Sequence, residues 1–98
     1  MTESREIKIG LLGYGFMGKM HAHGYATAGY LFPDMQIKPQ LYAVAGIGEK
    51  DLSCFAERFG FRKYSTDWRT LIDDPEIDLI DICLPESMHK EVCLAAME

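Results

Sequence analysis

The sequence opens with a polar stretch, after which an apolar run leads directly into a run rich in glycine. Residues 7–12 are mostly branched and apolar and contain no proline, a pattern that predicts a buried strand. The residues from Gly13 to Gly18 follow at once, and helix-compatible sequence continues from Met17 to about Ala28. The order of apolar and polar positions therefore predicts a strand, a tight turn and a first helix.

Beyond residue 40 the chain alternates between short apolar segments and segments with helical spacing. The predicted strands are residues 41–45, 62–64 and 77–84, and the predicted helices begin at Asp51 or Ser53, at Asp67, and at Glu86 or Ser87. We expect Gly60 to end the second helix. Right-handed crossovers between these strands give one parallel sheet in the order 3-2-1-4. The predicted fold is thus α/β, a Rossmann-type doubly wound sheet that is incomplete at about four strands.

Three glycines in the turn, Gly13, Gly15 and Gly18, have the spacing G-x-G-x-x-G. In a dinucleotide site the first allows a sharp turn off the strand, the second lets the backbone approach a pyrophosphate, and the third lets the helix pack closely. A helix that begins near Phe16 directs its N-terminal amides at the same place. Because a strand precedes the turn and a helix follows it, we favour a nucleotide-binding turn over a purely structural one.

The predicted strand order also places the ligand crevice. The first and fourth strands are neighbours, and open α/β sheets bind ligands at the carboxyl ends of the strands where the order reverses. We therefore expect residues 13–18 and residues 84–89 to share one crevice.

Composition narrows the class of protein. The 98 residues suit one small domain with an ordinary globular balance of apolar and charged residues. A net charge of −5 without a basic stripe argues against a nucleic-acid partner, and no apolar run is long enough to predict a membrane segment. The three cysteines form no C-x-x-C pair, and we interpret Cys83 and Cys93 as buried free thiols in a reducing, cytoplasmic setting.

Other polar residues offer weaker candidates for chemistry. His21 and His23 are two residues apart on the first helix, so they point to different faces and we expect no metal site. We expect Asp78 and Asp81 near the ends of the last strand or against a neighbouring segment, not as a catalytic pair. Residues 29–40 form the longest irregular stretch, for which a lid or interface loop and an ordinary surface loop are both open.

Several motifs, in order along nearly the whole chain, resemble one known family. The chain resembles the N-terminal domain of the Gfo/Idh/MocA oxidoreductases, and within it the levoglucosan dehydrogenase-like and inositol dehydrogenase-like sub-group. The residues that carry the resemblance are Gly13–Gly18 followed by His21, Phe55–Gly60, Ile77–Pro85 with His89, Phe32–Asp34 and Thr66–Arg69.

The resemblance implies a Rossmann domain followed by a larger α/β substrate domain. It also implies reversible hydride transfer between NAD or NADP and a hydroxyl carbon of a sugar or cyclitol, in an enzyme that we expect to be a homo-oligomer. The implied cofactor contacts are the turn of Gly13, Gly15 and Gly18 with the amides of Phe16 and Met17 at the pyrophosphate, Gly46, Ile47 and Gly48 near the adenosine ribose, and Leu84, Pro85, Glu86 and His89 toward the nicotinamide.

The sequence departs from the family pattern at two of these positions. The family often has Asp at the position of Gly46, to bind the ribose 2′-hydroxyl, or Arg just beyond it, to bind a 2′-phosphate; here neither is present. We therefore expect modest discrimination between NAD and NADP. The family usually has Asn after the proline of the fourth strand, where this chain has Glu86.

The third departure concerns catalysis. The family's Glu-Lys-Pro strand, whose lysine assists proton transfer, and the whole substrate domain are not among the 98 residues, and neither His89 nor Lys90 replaces that lysine. We expect a cofactor-binding domain, truncated before the fifth strand, that holds no catalytic residue and is inactive alone. The alternatives are a non-catalytic nucleotide-binding sensor or scaffold of the same fold and, less compatible with Gly46, an S-adenosylmethionine methyltransferase.

Overall fold

Four parallel strands form the centre of the fold in a computed structural model, which describes residues 5–31, 34 and 36–97. The elements are β1 (Arg5–Leu12), α1 (Phe16–Leu31), β2 (Ile37–Ala45), α2 (Glu49–Phe59), β3 (Lys63–Ser65), α3 (Trp68–Ile72), β4 (Leu79–Ile82), a 3-10 turn (Glu86–Met88) and α4 (His89–Ala96). The sheet order is β3-β2-β1-β4, with every pair parallel. This confirms the predicted fold and strand order.

The core lies on both faces of the carboxyl-terminal halves of β1 and β2. On one face Leu11 and Val44 pack against side chains of α1, α2 and the segment that follows α2, namely Ala22, Leu52, Phe55, Ala56 and Phe61. On the other face Leu12, Ala43 and Ala45 pack against α3 and α4 through Leu71 and Val92. Because neighbouring residues of a strand point to opposite faces, each strand fixes helices on both sides of the sheet.

One irregularity interrupts the pairing of β1 with β2. Ile9 is paired with Leu41 but Gly10 with Ala43, so that Tyr42 is an additional residue in β2. Tyr42 and Ala43 accordingly belong to the same face, against α3 and α4, whereas Leu41 and Val44 belong to the opposite face. The bulge thus lets β2 hold one more residue than its partner.

The second strand is longer than its apolar pattern predicts. It begins at Ile37, not at Leu41, and includes Pro39 opposite Ile7. β3 pairs only with residues 43–45, so this part of β2 has a strand neighbour on one side, where a proline is tolerated. α1 also extends to Leu31, so the predicted loop over residues 29–40 is mostly regular structure. Residues 32, 33 and 35 of this stretch lie outside the described part of the chain. The structure therefore does not decide between a lid and a surface loop.

Some of the predicted helix ends agree with the structure and others do not. Gly60 ends α2 with a φ of 79°, and the Asp67 carboxylate accepts a hydrogen bond from the Arg69 amide at the start of α3 (3.0 Å), as predicted. The prediction of Asp51 or Ser53 as the cap of α2 was wrong, because the helix starts after Gly48 without a side-chain cap. β4 is shorter than the predicted 77–84, and a 3-10 turn precedes α4.

Among the described residues, none of the helices is both long enough and apolar enough to cross a membrane.

Candidate functional site

A crevice of about 590 Å3 opens at the carboxyl ends of the strands. It is lined by Gly13–Met17 after β1, Gly46 and Ile47 after β2, Thr66 and Trp68 after β3, and Cys83–Pro85 and Met88 after β4. Among these described lining residues, no side chain carries a charge. The crevice brings the glycine turn and the start of residues 84–89 together, as the strand order predicts.

Two of the three motif glycines are required by packing. Gly13 has a φ of +99°, and a Cβ atom there would lie 2.6 Å from the carbonyl oxygen of Cys83. A Cβ atom on Gly18 would collide with the carbonyl oxygen of Gly13. The sharp turn off β1 and the close approach of α1 therefore both depend on the absence of a side chain.

Gly15 is different because a Cβ atom there would meet no atom within 4 Å. Its φ is not positive, so the backbone alone does not call for glycine. Gly15 faces the crevice, and the first intrahelical bond of α1 runs from the Lys19 amide to its carbonyl oxygen (2.9 Å). The amides of Phe16 and Met17 precede that bond and lie at the open end of the helix, where an anion is stabilised.

The β2 side of the crevice is filled by the ring of Tyr14. A Cβ atom on Gly46 would lie 2.5 Å from Tyr14 Cε1, so the ring covers this position closely. The Tyr14 hydroxyl donates a hydrogen bond to the Ile47 carbonyl oxygen, and the ring stacks on Phe55 with centroids 5.5 Å apart. Gly46, which the sequence marks as the place of a missing acid, is thus a glycine that the Tyr14 ring requires.

The β4 side is held by backbone hydrogen bonds. The Cys83 amide donates to the Leu12 carbonyl oxygen (2.7 Å), which continues the strand pairing into the crevice. His89 Nε2 lies 2.8 Å from the carbonyl oxygen of Leu84, and the Met88 amide donates to the Pro85 carbonyl oxygen (2.9 Å). The ring of His89 therefore closes the turn after β4 and does not line the crevice.

A polar cluster lies behind this wall, between α1 and β4. Asp81 Oδ2 accepts a hydrogen bond from the Tyr25 hydroxyl (2.8 Å) and lies 2.7 Å from His21 Nδ1. The Cys83 sulfur lies 3.3 Å from the same histidine nitrogen. These contacts confirm that Asp81 lies against a neighbouring segment. Asp78 is separate from it, since its carboxylate accepts from the Lys8 amide (2.9 Å), so the two acids form no pair.

Burial changes the acidity of two members of the cluster. Burial, together with the nearby Asp81 carboxylate, raises the pKa of the Cys83 thiol to about 12. The same two causes raise the pKa of Tyr25. Ligand atoms of His21, Asp81 and Cys83 lie within 4.8 Å of one another, close enough for a metal ion, but the hydrogen bonds account for their positions and the thiol is protonated at neutral pH.

The structure brings most of the predicted site residues together. Gly13, Gly15, Phe16, Met17, Gly46, Ile47, Leu84 and Pro85 line the crevice. Gly18 is buried behind the turn, while Gly48, Glu86 and His89 are exposed outside the lining. The expectation of buried thiols is met only in part, because Cys83 and Cys93 are half-buried, and Cys54 is exposed.

Five residues that line the crevice were not predicted from the sequence: Tyr14, Thr66, Trp68, Cys83 and Met88. Thr66 and Trp68 follow β3, whose carboxyl end also reaches the crevice although β3 is not beside the point where the strand order reverses. Tyr14 was visible only as a variable position within the glycine motif. Its partner Gly46 is distant in the sequence, and no local pattern links the two.

Comparisons with known proteins give matches over nearly the whole chain. A family model described as "Oxidoreductase family, NAD-binding Rossmann fold" (GFO_IDH_MocA) matches residues 7–98. The chain is 37% identical over 94 residues to a levoglucosan dehydrogenase of Pseudarthrobacter phenanthrenivorans, with 96% of this chain and 24% of that protein covered. It is 30% identical over 89 residues to a myo-inositol 2-dehydrogenase of Thermotoga maritima, with 91% and 24% covered.

The solved structures agree with these relatives. A levoglucosan dehydrogenase in complex with NADH and levoglucosan matches with a TM-score of 0.88 and 37% identity, over 94% of this chain and 25% of that one. The chain thus spans about a quarter of the length of the proteins it matches. With a family model matched over nearly all of its residues, the chain belongs to the Gfo/Idh/MocA oxidoreductase family, whose NAD-binding Rossmann fold it has.

Proposed function

We propose that the intact protein is an NAD- or NADP-dependent dehydrogenase that acts on a hydroxyl carbon of a sugar or polyol, and that residues 1–98 supply its cofactor-binding domain. The observation that carries the proposal is the contrast within the glycine turn. Gly13 and Gly18 are fixed by packing, whereas Gly15 faces open space in the crevice. Open backbone beside a helix N-terminus is what a pyrophosphate needs in order to approach.

The residues around the crevice fit a dinucleotide along its length. The amides of Phe16 and Met17 would hold the pyrophosphate, and Gly46 to Gly48 with Tyr14 would lie beside the adenosine ribose. Leu84 and Pro85 would wall the nicotinamide end, where an apolar lining keeps water from the reacting carbon. When bound, the nicotinamide supplies the hydride acceptor or donor.

Residues 1–98 are proposed to be inactive alone. His89 is engaged with the carbonyl oxygen of Leu84, and Lys90 is exposed on α4 beyond the crevice lining. Neither is placed to take a proton from a substrate hydroxyl. The acid–base lysine and the sugar-binding residues are proposed to come from the rest of the protein. We expect the intact protein to be a homo-oligomer in the cytoplasm.

The test compares two glycine variants of the intact protein. Gly15→Val places a branched side chain in the crevice, whereas Gly24→Val places the same side chain on the exposed surface of α1. At both positions a Cβ atom would meet nothing within 4 Å, so the two sites are matched in the space around that atom. Calorimetric titration with NADH and NADPH should show binding at least about tenfold weaker for Gly15→Val only, a loss of about 1.4 kcal/mol.

Equal affinities in both variants would remove the glycine turn from the cofactor site. A non-catalytic sensor of the same fold would also bind the dinucleotide, and Gly46 and Glu86 are the departures that favour it. Turnover of sugars and polyols by the intact protein, and the presence of a Glu-Lys-Pro segment after residue 98, separate the dehydrogenase from the sensor.

A further inference from the structure

The space beside Gly46 is occupied by the side chain of Tyr14, which belongs to the glycine turn after β1. We propose that Tyr14 is a specificity-determining residue of the cofactor site, because its ring holds the space through which a side chain at position 46 would reach the adenosine ribose. The inference rests on the proposed function and adds a cause for weak discrimination between NAD and NADP. The first observation in its favour is a steric one. A Cβ atom on Gly46 would lie only 2.5 Å from Tyr14 Cε1, which is too close for a non-bonded contact.

The ring is fixed, so it does not simply swing away from a larger residue. Its hydroxyl donates to the carbonyl oxygen of Ile47, in the same loop as Gly46. Its face stacks on Phe55, which is only 5% exposed and itself contacts Phe59 with centroids 4.7 Å apart. Moving the ring therefore costs a hydrogen bond and an aromatic contact with the core.

A fixed ring over Gly46 leaves no room there for the acid of the first common means of cofactor selection, and the arginine of the second is absent because Ile47 is the next residue. Selection of NAD uses a carboxylate at the end of the second strand, which binds the ribose 2′-hydroxyl and repels a 2′-phosphate. Selection of NADP uses an arginine that binds the 2′-phosphate. No described side chain in the crevice lining is charged, and the nearest charged residues along the chain, Glu49, Lys50 and Asp51, are exposed on the first turn of α2 with mixed signs.

Four forms of the intact protein test this inference: the wild type, Gly46→Asp, Tyr14→Ala, and the double variant. Affinities for NADH and NADPH are measured by calorimetry, and circular dichroism checks the fold of each variant. The wild type should bind the two cofactors with affinities within about a hundredfold of each other. Gly46→Asp should weaken the binding of both cofactors, because the new side chain displaces the Tyr14 ring from the crevice wall. In the Tyr14→Ala background the same change should favour NADH over NADPH by about tenfold or more, because the carboxylate then reaches the ribose.

A smaller pair of variants covers the case in which Gly46→Asp does not fold. Gly46→Ala adds one methyl group and no charge. It should weaken the binding of both cofactors in the protein that retains Tyr14, and it should leave their affinities nearly unchanged in the Tyr14→Ala background. Equal effects in the two backgrounds, or a wild-type preference above a hundredfold, would overturn the role of Tyr14. Failure of the wild type to bind either cofactor would overturn the proposed function as well.

Discussion

The two strands beside β1 meet the glycine turn in different ways. On the β2 side the side-chain contact is mainly aromatic, since the Tyr14 ring lies over Gly46 and stacks on Phe55, with one hydrogen bond from its hydroxyl to the Ile47 carbonyl oxygen. On the β4 side the side-chain contacts are polar, since Asp81 joins His21 and Tyr25 behind the crevice wall. Backbone hydrogen bonds continue past the strands on both sides, from the Gly13 amide to the Ala45 carbonyl oxygen (2.7 Å) and from the Cys83 amide to the Leu12 carbonyl oxygen (2.7 Å). The side chains of one wall thus pack mainly through an aromatic ring, and those of the other mainly through hydrogen bonds.

The difference matters because the two kinds of contact respond differently to substitution. An aromatic pair contributes about 0.5–1.5 kcal/mol beyond the area it buries, and its loss leaves apolar groups that tolerate rearrangement. A buried acceptor that is removed leaves its donors without partners, which costs about 1–3 kcal/mol, and more where a charge is involved. The β4 wall should therefore be the more sensitive of the two to loss of a single side chain.

The largest effect is expected at Gly13, where the two walls join. Gly13→Ala combines a positive φ with a Cβ atom 2.6 Å from the Cys83 carbonyl oxygen, and backbone cannot yield as a flexible side chain does. We expect a loss of at least about 3 kcal/mol in the free energy of unfolding, measured by urea denaturation. Gly24→Ala is the control and should stabilise the protein by about 0.5–1 kcal/mol, since it lies in open space on α1. Similar stabilities for the two variants would show that the turn relaxes freely.

A smaller loss is expected on the β4 side from Asp81→Ala. The Asp81 side chain is 13% exposed, and its removal leaves the Tyr25 hydroxyl and His21 Nδ1 without their acceptor. The free energy of unfolding should fall by about 2–3 kcal/mol. Asp81→Asn keeps an acceptor oxygen and should cost less. If both changes cost the same small amount, water replaces the carboxylate and the polar cluster does not stabilise the wall.

On the β2 side, Tyr14→Phe should cost only about 1 kcal/mol, the net value of one hydrogen bond. The ring and its stacking on Phe55 remain, and only the bond to the Ile47 carbonyl oxygen is lost. Comparing this loss with that of Asp81→Ala, under identical denaturation conditions, compares the side-chain hydrogen bonds of the two walls, because Tyr14→Phe leaves the ring packing unchanged. A larger loss for Tyr14→Phe would reverse the proposed order.

The smallest effect concerns alkaline pH and again falls on the β4 side. The pKa of Cys83 is raised to about 12 and that of Tyr25 is also raised, so the folded state holds these protons more tightly than the unfolded state. Stability is fully present below the unfolded pKa values and is lost as the pH rises toward the folded ones. Because Cys83 is only half-buried, we expect a loss of about a few tenths of a kcal/mol by pH 9.5, which Cys83→Ala should reduce. Identical pH profiles for the wild type and Cys83→Ala would contradict this.

The features that the sequence predicts well are those encoded by neighbouring residues. The strand before Gly13, the glycine spacing, the cap at Asp67 and the helix end at Gly60 each depend on a few adjacent positions. The strand order followed because only a few chain paths satisfy right-handed crossovers. These features were sufficient to place the crevice.

What the sequence did not predict depends on contacts between distant residues. Gly46 looked like a lost acid because the ring that requires glycine there belongs to Tyr14, in the turn after β1. The link between His21 and Asp81 joins α1 to β4 across 60 residues. Pro39 indicates the end of a strand locally, yet it is accepted because β3 is too short to pair with that part of β2. In each case tertiary contacts outweigh the local pattern.

The bulge at Tyr42 also governs which changes of chain length β2 can accept. In a regular strand, the loss of one residue turns every side chain on one side of the gap to the opposite face. Here Tyr42 is the additional residue, and its neighbours Leu41 and Ala43 already point to the faces they would occupy in an unbroken ladder. A deletion of Tyr42 would therefore restore regular pairing with β1 while Leu41 and Val44 keep their common face, whereas a deletion of Val44 would bring Ala45 opposite Leu11 and reverse the alternation.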